Sequence, residues 1–219
     1  MIKIIIMNYS TLWTNLSPDI QEIFATNTKI LEFKRGEHIY RASERPSGIY
    51  FIENGLVGLL IIGKESGKEH LLRFFKSGQF FGHRSLFSDE DYHGNTIVLE
   101  ATRLSLIPKK IILNVLEKHP LLYKEIIMII AKELRRCENQ HVMILENKIL
   151  GRTAQAIIYL KELHPDHNWT RQEIANFCAS TVSTIIKTMA ELESMGHISQ
   201  KGRAIEILNR EALLNLENN

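Results

Sequence analysis

A run of thirty residues with neither glycine nor proline, residues 121–150, constrains the fold of this chain more than any other feature. Proline suits the first turn of a helix, and Pro120 stands directly before the run. Glycine reappears only at Gly151. The run therefore predicts one long helix of ~45 Å at the helical rise per residue.

Mostly apolar residues recur along this helix at alternating spacings of four and three, a pattern typical of a coiled-coil seam. The seam residues are Tyr123, Ile127, Ile130, Leu134, Cys137, His141 and Ile144. So many consecutive seam positions favour pairing with a second copy of the chain. The alternative is a single helix buried inside one domain. Ile126 and Ile129 form a second apolar face, which we expect to pack against the preceding domain.

The preceding part, residues 30–107, consists of short β-prone segments separated by glycine-containing turns. One of these segments is residues 38–40, and the pair Asn54-Gly55 is predicted to be a turn between two others. Strands of this length and spacing favour a sandwich or a barrel. Residues 11–28 are predicted to form a short helix in front of it.

The part after Gly151 shows three helix-like segments followed by a hairpin with a turn at residues 201–203, which is the order of a winged helix. Thr170 and Glu173 form a capping box at the start of the second helix, and Thr181 is a suitable N-cap for the third. The inward face of the third helix consists of Ile185, Met189 and Leu192.

The outward face of this third helix carries side chains suited to the major groove of DNA. The residues predicted to contact bases are Val182, Ser183, Ile186 and Lys187. Those predicted to contact phosphates are Thr170, Arg171, Thr181, Lys201 and Arg203. The alternative is a helical unit that binds protein, because residues 151–219 hold seven Lys and Arg against eight Asp and Glu.

Composition argues against several other classes of protein. Two cysteines, Cys137 and Cys178, cannot form a disulfide framework, and this usage fits a reducing cytoplasm. The apolar run near the N-terminus is too short for a membrane-spanning helix, so no membrane association is predicted. The formal net charge of +2 is too small to indicate nucleic-acid binding by itself.

Nine histidines raise the alternative of a haem or metal sensor, with His70, His83 and His93 in the β-rich part. Their spacing matches no metal-site pattern, so no metal ligand is predicted. No nucleophile–base motif, phosphate-binding loop or paired carboxylates indicate catalysis. We therefore predict no catalytic residues and expect that the chain is not an enzyme.

Several blocks of sequence match one known arrangement. They are GIYFIENGLVGLL and KSGQFFGHRSLF, the stretch from Pro120 to LGRTAQA, and TRQEIANFCASTVSTIIKTMAELESMGHISQKGRAIEIL. In that order they resemble the cyclic-nucleotide-binding β-roll, the dimerisation helix and the winged helix-turn-helix of the Crp–Fnr family of bacterial transcription regulators. The resemblance implies an α+β fold with a β-roll (jelly-roll) sensor domain over 1–118, a dimerisation helix over 119–148 and a DNA-binding domain over 149–219.

The resemblance also implies partners. It implies a homodimer on a two-fold symmetric operator in double-stranded DNA, with half-sites about one helical turn apart. RNA polymerase is a further implied partner, with activation or repression left open. Ser183 and Lys187 stand where the family carries Glu and Arg as base contacts, so we expect a different target sequence.

A small-molecule effector is implied as well, bound in a pocket that departs from the family pattern. The pocket residues would be Phe81, Gly82, His83, Arg84, Ser85, Asn95, Thr96, Cys137 and Glu138. His83 replaces a Glu, Asn95-Thr96 replaces the Arg-Ser pair that holds the cyclic phosphate, and Cys137-Glu138 replaces the Thr-Ser pair that contacts adenine. A buried phosphate would then lack its charged partner, so the usual cyclic AMP binding is not expected.

Three interpretations of the pocket stay open: a cyclic nucleotide in an unusual binding mode, another small molecule, or no ligand. An effector-binding module that acts through protein partners is the alternative function.

Overall fold

The computed structural model describes residues 16–216, whose contacts divide into two compact units. One unit comprises residues 16–67 and 71–133, and the other comprises residues 68–70 and 134–216. The first unit contains helix α1 (Pro18–Asn27), strands β1 (Lys29–Phe33), β2 (Gly48–Ile62), β3 (Glu69–Lys76) and β4 (Phe80–Phe81), helix α2 (His83–Ser88), strand β5 (Asn95–Pro108) and helix α3 (Lys109–Lys118). The long helix α4 (Leu122–Glu146) begins in this unit and ends in the second.

The second unit continues beyond α4 as a helical domain with a hairpin. Its elements are helices α5 (Ile149–Leu163), α6 (Arg171–Phe177) and α7 (Val182–Ser194), strands β6 (Ile198–Lys201) and β7 (Ala204–Ile207), and helix α8 (Arg210–Leu214). The architecture is the predicted α+β one, with a β-rich domain, a long helix and a winged helix-turn-helix. Of the helix predicted over 11–28, residues 18–27 are helical, and residues 11–15 lie outside the described part.

One antiparallel sheet organises the β-rich unit, in the order β1-β5-β2-β3 with β4 paired to β2. The prediction of a turn at Asn54-Gly55 is wrong, because β2 runs continuously through both residues. The pairing of β2 with β5 shifts register there, and Gly55 has a φ of 111°. A Cβ on Gly55 would lie 2.7 Å from the carbonyl oxygen of Ala101 in β5. The glycine therefore permits a bulge within one strand, instead of a turn between two.

The strand predicted at residues 38–40 is also absent. The backbone N–H groups of Ile39 and Tyr40 instead donate to the side-chain oxygen of Thr96, at 2.9 and 3.0 Å. A side chain thus satisfies donors that a strand would have paired with backbone.

The long helix is shorter than predicted, because it ends at Glu146 and a new helix begins at Ile149. The Asn147 side chain donates to the Met143 carbonyl at 3.2 Å, which is the type of local bond that competes with helix continuation. Gly151 lies inside α5, where a Cβ would approach the Leu216 carbonyl to 3.2 Å. Gly151 is therefore a packing position.

Two apolar cores support the functional surfaces. In the β-rich unit, Ile126 and Ile129 of α4 pack with Ile49 and Phe80 of the sheet, as predicted for the second apolar face. In the C-terminal unit, α5, α6 and α7 share a core in which the largest fully buried side chains are Ile157, Leu160, Leu163, Trp169, Ile174, Ile185, Met189 and Leu192.

Candidate DNA-binding surface and sensor pocket

Helix α6 begins at the capping box predicted from the sequence. The hydroxyl oxygen of Thr170 accepts from the backbone N–H of Glu173 at 3.1 Å, and Glu173 Oε2 accepts from the backbone N–H of Thr170 at 2.8 Å. The buried ring of His167 adds a contact that the sequence did not reveal, with Nε2 3.2 Å from the same carboxylate oxygen. Side chains thus fix the start of α6, and the phosphate contact of Thr170 stays a prediction.

The turn after α6 orients the next helix, α7. Ala179 lies in this turn with a φ of 51°, in the left-handed region. The Thr181 hydroxyl oxygen accepts from the Thr184 backbone N–H at 3.2 Å, which confirms Thr181 as the N-cap. The inward residues of α7, all fully buried, are Ile185, Met189 and Leu192.

The outward face of α7 brings together the four residues predicted to contact bases. Ser183 and Lys187 are exposed, and Ile186 is 52% exposed although it is apolar. Val182 is half-buried and offers less surface. The exposed apolar side chain of Ile186 lies on the same face as the Ser183 hydroxyl and the Lys187 ammonium. This combination suits the major-groove edge of a base pair, where a thymine methyl lies beside polar groups.

The hairpin formed by β6 and β7 is the predicted wing. Lys201 pairs with Ala204, so the turn contains only Gly202 and Arg203, and Lys201 belongs to the strand, not to the turn. Gly202 adopts a φ of 62°. Lys201 and Arg203 are both exposed at this tip.

Arg171, predicted to contact phosphate, is bonded to the wing. Its Nη2 donates to Gln200 Oε1 at 2.6 Å and to the Gly202 carbonyl at 3.3 Å. From the other side, Glu193 of α7 accepts from the Gln200 backbone N–H at 2.6 Å and from its Nε2 at 3.0 Å. Arg171, Gln200 and Glu193 therefore join α6, β6 and α7, a connection that sequence analysis missed because all three residues are ordinarily solvated.

The predicted seam of α4 forms an apolar stripe with high exposure. Ile127 is 63% exposed and Leu134 is 59% exposed. Tyr123 and His141 are exposed too, whereas Ile130, Cys137 and Ile144 are half-buried. Such a stripe on a helix is typical of a surface that another helix covers.

Five of the predicted pocket residues line one cavity of about 20 Å³ in the β-rich unit: Phe81, Gly82, His83, Arg84 and Ser85. Gly82 has a φ of 89°, and a Cβ there would lie 3.0 Å from the Gly48 carbonyl oxygen. The lining also includes residues that sequence analysis did not select, namely Tyr40, Leu59, Arg73, Phe75, Tyr92 and His93. Tyr40 and Tyr92 stack with ring centroids 3.6 Å apart.

Asn95 and Thr96, also predicted to line the pocket, have other roles. Thr96 is fully buried and holds residues 39 and 40, and the Asn95 side chain accepts from the Ala42 backbone N–H at 2.9 Å. Neither lines the cavity, because their polar atoms are used to fix this loop. Cys137 and Glu138 belong to the C-terminal unit, and their part in a pocket stays a prediction.

A buried ion pair lies against the cavity. Arg73 of β3 donates through Nη1 to Glu133 Oε2 at 2.8 Å and through Nη2 to Glu133 Oε1. His83 Nε2 lies 3.2 Å from Glu133 Oε2. Burial by itself raises the pKa of Glu133, but the hydrogen bonds from Arg73 and His83 outweigh it and hold that pKa well below its usual value. Glu133 is therefore a buried carboxylate that stays ionised.

Arg84 and the histidines have partners of other kinds. Arg84 Nη2 lies 2.9 Å from His93 Nε2, and burial together with the nearby arginines lowers the pKa of His93. Within residues 16–216, no cluster of three or more His, Cys, Asp or Glu side chains is arranged to hold a metal ion. In the same residues, no helix combines the length and apolar character needed to cross a membrane.

Both cysteines are free thiols. Cys178 is buried at the C-cap of α6, within the helix-turn-helix, and burial raises its pKa to about 12. A thiol of this kind is a poor nucleophile, which favours a packing role over a redox role.

Comparison with known proteins assigns both units. Residues 30–119 match the model of the cyclic nucleotide-binding domain, and residues 151–216 match that of the Crp-like helix-turn-helix domain. The chain belongs to the Crp–Fnr family of transcription regulators.

Individual relatives cover most of the chain. A "CRP-like cAMP-activated global transcriptional regulator" of Mycobacterium tuberculosis is 23% identical over 194 residues, 84% of this chain and 85% of the relative. A "fumarate and nitrate reduction regulatory protein" of Vibrio cholerae is 23% identical over 84% of this chain and 76% of its own length. The crystal structure of a protein assigned to the crp/fnr family from Eubacterium rectale covers 97% of this chain and 100% of its own, with a TM-score of 0.79 and 17% identity.

Proposed function

We propose that this Crp–Fnr regulator is a homodimer that binds a two-fold symmetric operator and inserts α7 into the major groove. The observation that carries the proposal is the outward face of α7, where Ser183, Ile186 and Lys187 are exposed while the opposite face is fully buried. This arrangement is what a recognition helix requires, because its base-contacting side chains must be free and its position must be rigid.

The exposed seam of α4 supports the proposal of a dimer. Burying the seam against the same seam of a second copy would remove Ile127 and Leu134 from water. An isologous pair also gives the assembly the two-fold symmetry of a palindromic operator. The two copies of α7 would then occupy half-sites about one helical turn apart.

Base recognition would differ from that of relatives with Glu and Arg at these positions. The Lys187 ammonium is a compact charge, whereas an Arg guanidinium at this position could form two parallel hydrogen bonds with one base. Ser183 can donate or accept, and Ile186 can touch a thymine methyl. Lys201 and Arg203 would contact phosphates from the tip of the wing.

The β-rich unit would be the regulatory domain. The named Mycobacterium tuberculosis relative is cAMP-activated, but the resemblance implies that His83 and Asn95-Thr96 replace residues that hold the cyclic phosphate in the family. An effector of a different kind, or a cyclic nucleotide in an unusual binding mode, is therefore the form of control that we propose. We further propose that the protein is not an enzyme, acts in the cytoplasm and contacts RNA polymerase.

Selection from a random duplex library by the purified full-length protein tests this function. We expect a palindromic consensus, a complex of two chains per duplex, and affinity that falls steeply with salt. Lys187→Ala should change the selected sequence, whereas Lys201→Ala should weaken binding across all sequences. A monomer that ignores duplex DNA at low ionic strength would refute the proposal and would favour the alternative, a module that acts through protein partners.

A further inference from the structure

The carboxylate of Glu133 is buried, although carboxylates on helices are ordinarily exposed to water. It lies in α4, yet its side chain is only 2% exposed. Its two oxygens accept from both terminal nitrogens of Arg73, and one of them also contacts His83. A carboxylate removed from water is costly unless a cation and hydrogen-bonding groups surround it. Here the Arg73 guanidinium and the His83 ring lie within hydrogen-bond distance of Glu133.

Both partners of Glu133 also line the cavity. Arg73 belongs to β3, and His83 follows the glycine that shapes the turn beside the cavity. These two side chains, like Arg84 in the same lining, are donors that a negatively charged ligand in the cavity could use. In the structure Glu133 Oε2 lies 2.8 Å from Arg73 Nη1 and 3.2 Å from His83 Nε2.

The cavity itself is small. Its volume of about 20 Å³ is on the scale of one water molecule. Phe75 and Phe81 stack with centroids 5.1 Å apart, and the Arg73 guanidinium carbon lies 5.1 Å from the centroid of the Phe75 ring.

We propose that Glu133 is an internal anion that takes the place of an effector's charged group, so that an anionic ligand in this cavity reaches Arg73 and His83 only by displacing Glu133. This inference deepens the proposed regulatory role of the β-rich unit. It assigns the class of ligand, a small carboxylate or phosphate, and it identifies the contact that such a ligand breaks.

The displaced contact would transmit the signal to the dimer seam. Glu133 stands directly beside Leu134 and three residues after Ile130, both of which are seam residues. Its bonds to Arg73 and His83 hold this turn of α4 to β3 and α2. A ligand that replaced the carboxylate would release that turn. The ligand would therefore bind the released state better than the held state, and this difference in affinity is what an allosteric effect requires.

Chemical rescue of Glu133→Ala in the full-length protein tests the inference. The variant should have a lower Tm than the wild type. Acetate or formate should then raise the Tm of the variant above its value in chloride at equal ionic strength. Each kcal/mol of anion binding corresponds to a rise of about 2–4 °C for a chain of this length. The wild type and the control Glu32→Ala, which removes an exposed partner of Arg103, should show no such rise. Cyclic AMP should stabilise the wild type less than it stabilises Glu133→Ala.

Two results would overturn the inference. One is a Glu133→Ala variant that responds to acetate no more than to chloride, and the other is a wild type that acetate, phosphate or cyclic AMP stabilises as strongly as the variant. If Glu133→Ala does not fold, Glu133→Gln replaces it, with phosphate expected to stabilise that variant more than the wild type. Because the readout is thermal and contains no DNA, failure of the proposed DNA-binding function would leave this result unchanged.

Discussion

Arg73 and Glu133 form a two-point ion pair in which both side chains are almost completely withdrawn from water, with exposures of 4% and 2%. The pair joins a strand of the sheet to the long helix within one compact unit. Buried pairs of this kind contribute little net stability over apolar residues, but the loss of one partner costs about 3–5 kcal/mol, because the other charge is left buried alone. The position is therefore sensitive to anything that competes for either charge.

The first prediction concerns pH and Glu133. The pKa of Glu133 is lowered in the folded protein, so its contribution to stability is complete above the unfolded value of 4.5 and is lost as the pH falls through and below that value. Urea unfolding should show Glu133→Gln to be about 3–5 kcal/mol less stable at neutral pH, and the gap to the wild type should narrow in acid. A gap that stays constant as the pH falls would contradict this assignment. The exposed Glu32→Gln should cost at most about 1 kcal/mol.

The helix-turn-helix could be predicted because its determinants are local. Thr170 and Glu173 are three residues apart, and the inward face of α7 follows the helical period, so the chain order alone specifies both. The seam of α4 and its second face at Ile126 and Ile129 follow from the same periodicity. The end of α4 could not be predicted from the sequence, because no glycine or proline lies at that position.

The interior of the sensor pocket could not be predicted, because its contacts join distant residues. Arg73 and Glu133 are separated by 60 positions, and residues of these types are ordinarily exposed. Only the family resemblance predicts Asn95 and Thr96 as pocket residues. The structure uses their polar atoms to hold the loop at residues 39–42, a role that depends on tertiary placement.

The second prediction concerns the seam. Ile127→Asp should convert a dimer to a monomer in sedimentation equilibrium, because a charge would otherwise be buried without a partner. Leu113→Asp is the control, since Leu113 is an apolar residue that is 40% exposed but lies on α3 and does not belong to the seam. A dimer that persists with Asp at position 127 would show that α4 is not the interface.

The third prediction separates wing positioning from phosphate contact. Because Arg171 is bonded to Gln200 and Gly202, Arg171→Ala should weaken DNA binding without changing its salt dependence. Lys201→Ala should lower the slope of log affinity against log salt by roughly 0.9 for each subunit. Equal slope changes in the two variants would show that Arg171 contacts phosphate directly.

Glu193→Gln provides an independent check of the same connection. Removing a negative charge from a DNA-binding domain strengthens association when the effect is purely electrostatic. If Glu193 instead holds the wing through Gln200, its substitution should weaken binding. Stronger binding by Glu193→Gln would contradict a positioning role.

The fourth prediction concerns Ile186, whose exposure on α7 is otherwise unfavourable for an apolar side chain. If it packs on a thymine methyl, replacing that thymine by uracil in the selected operator should cost the wild type on the order of 0.8 kcal/mol, the worth of one buried methylene-sized group. On the thymine duplex, Ile186→Ala should lose a similar amount of binding free energy. Changing from the thymine to the uracil duplex should then lower the affinity of Ile186→Ala by almost nothing further. Titrations of both proteins against both duplexes form a double-mutant cycle, which isolates the contact from indirect effects. Additive losses would show that Ile186 and the methyl group act independently, and base recognition would then depend on Ser183 and Lys187 alone.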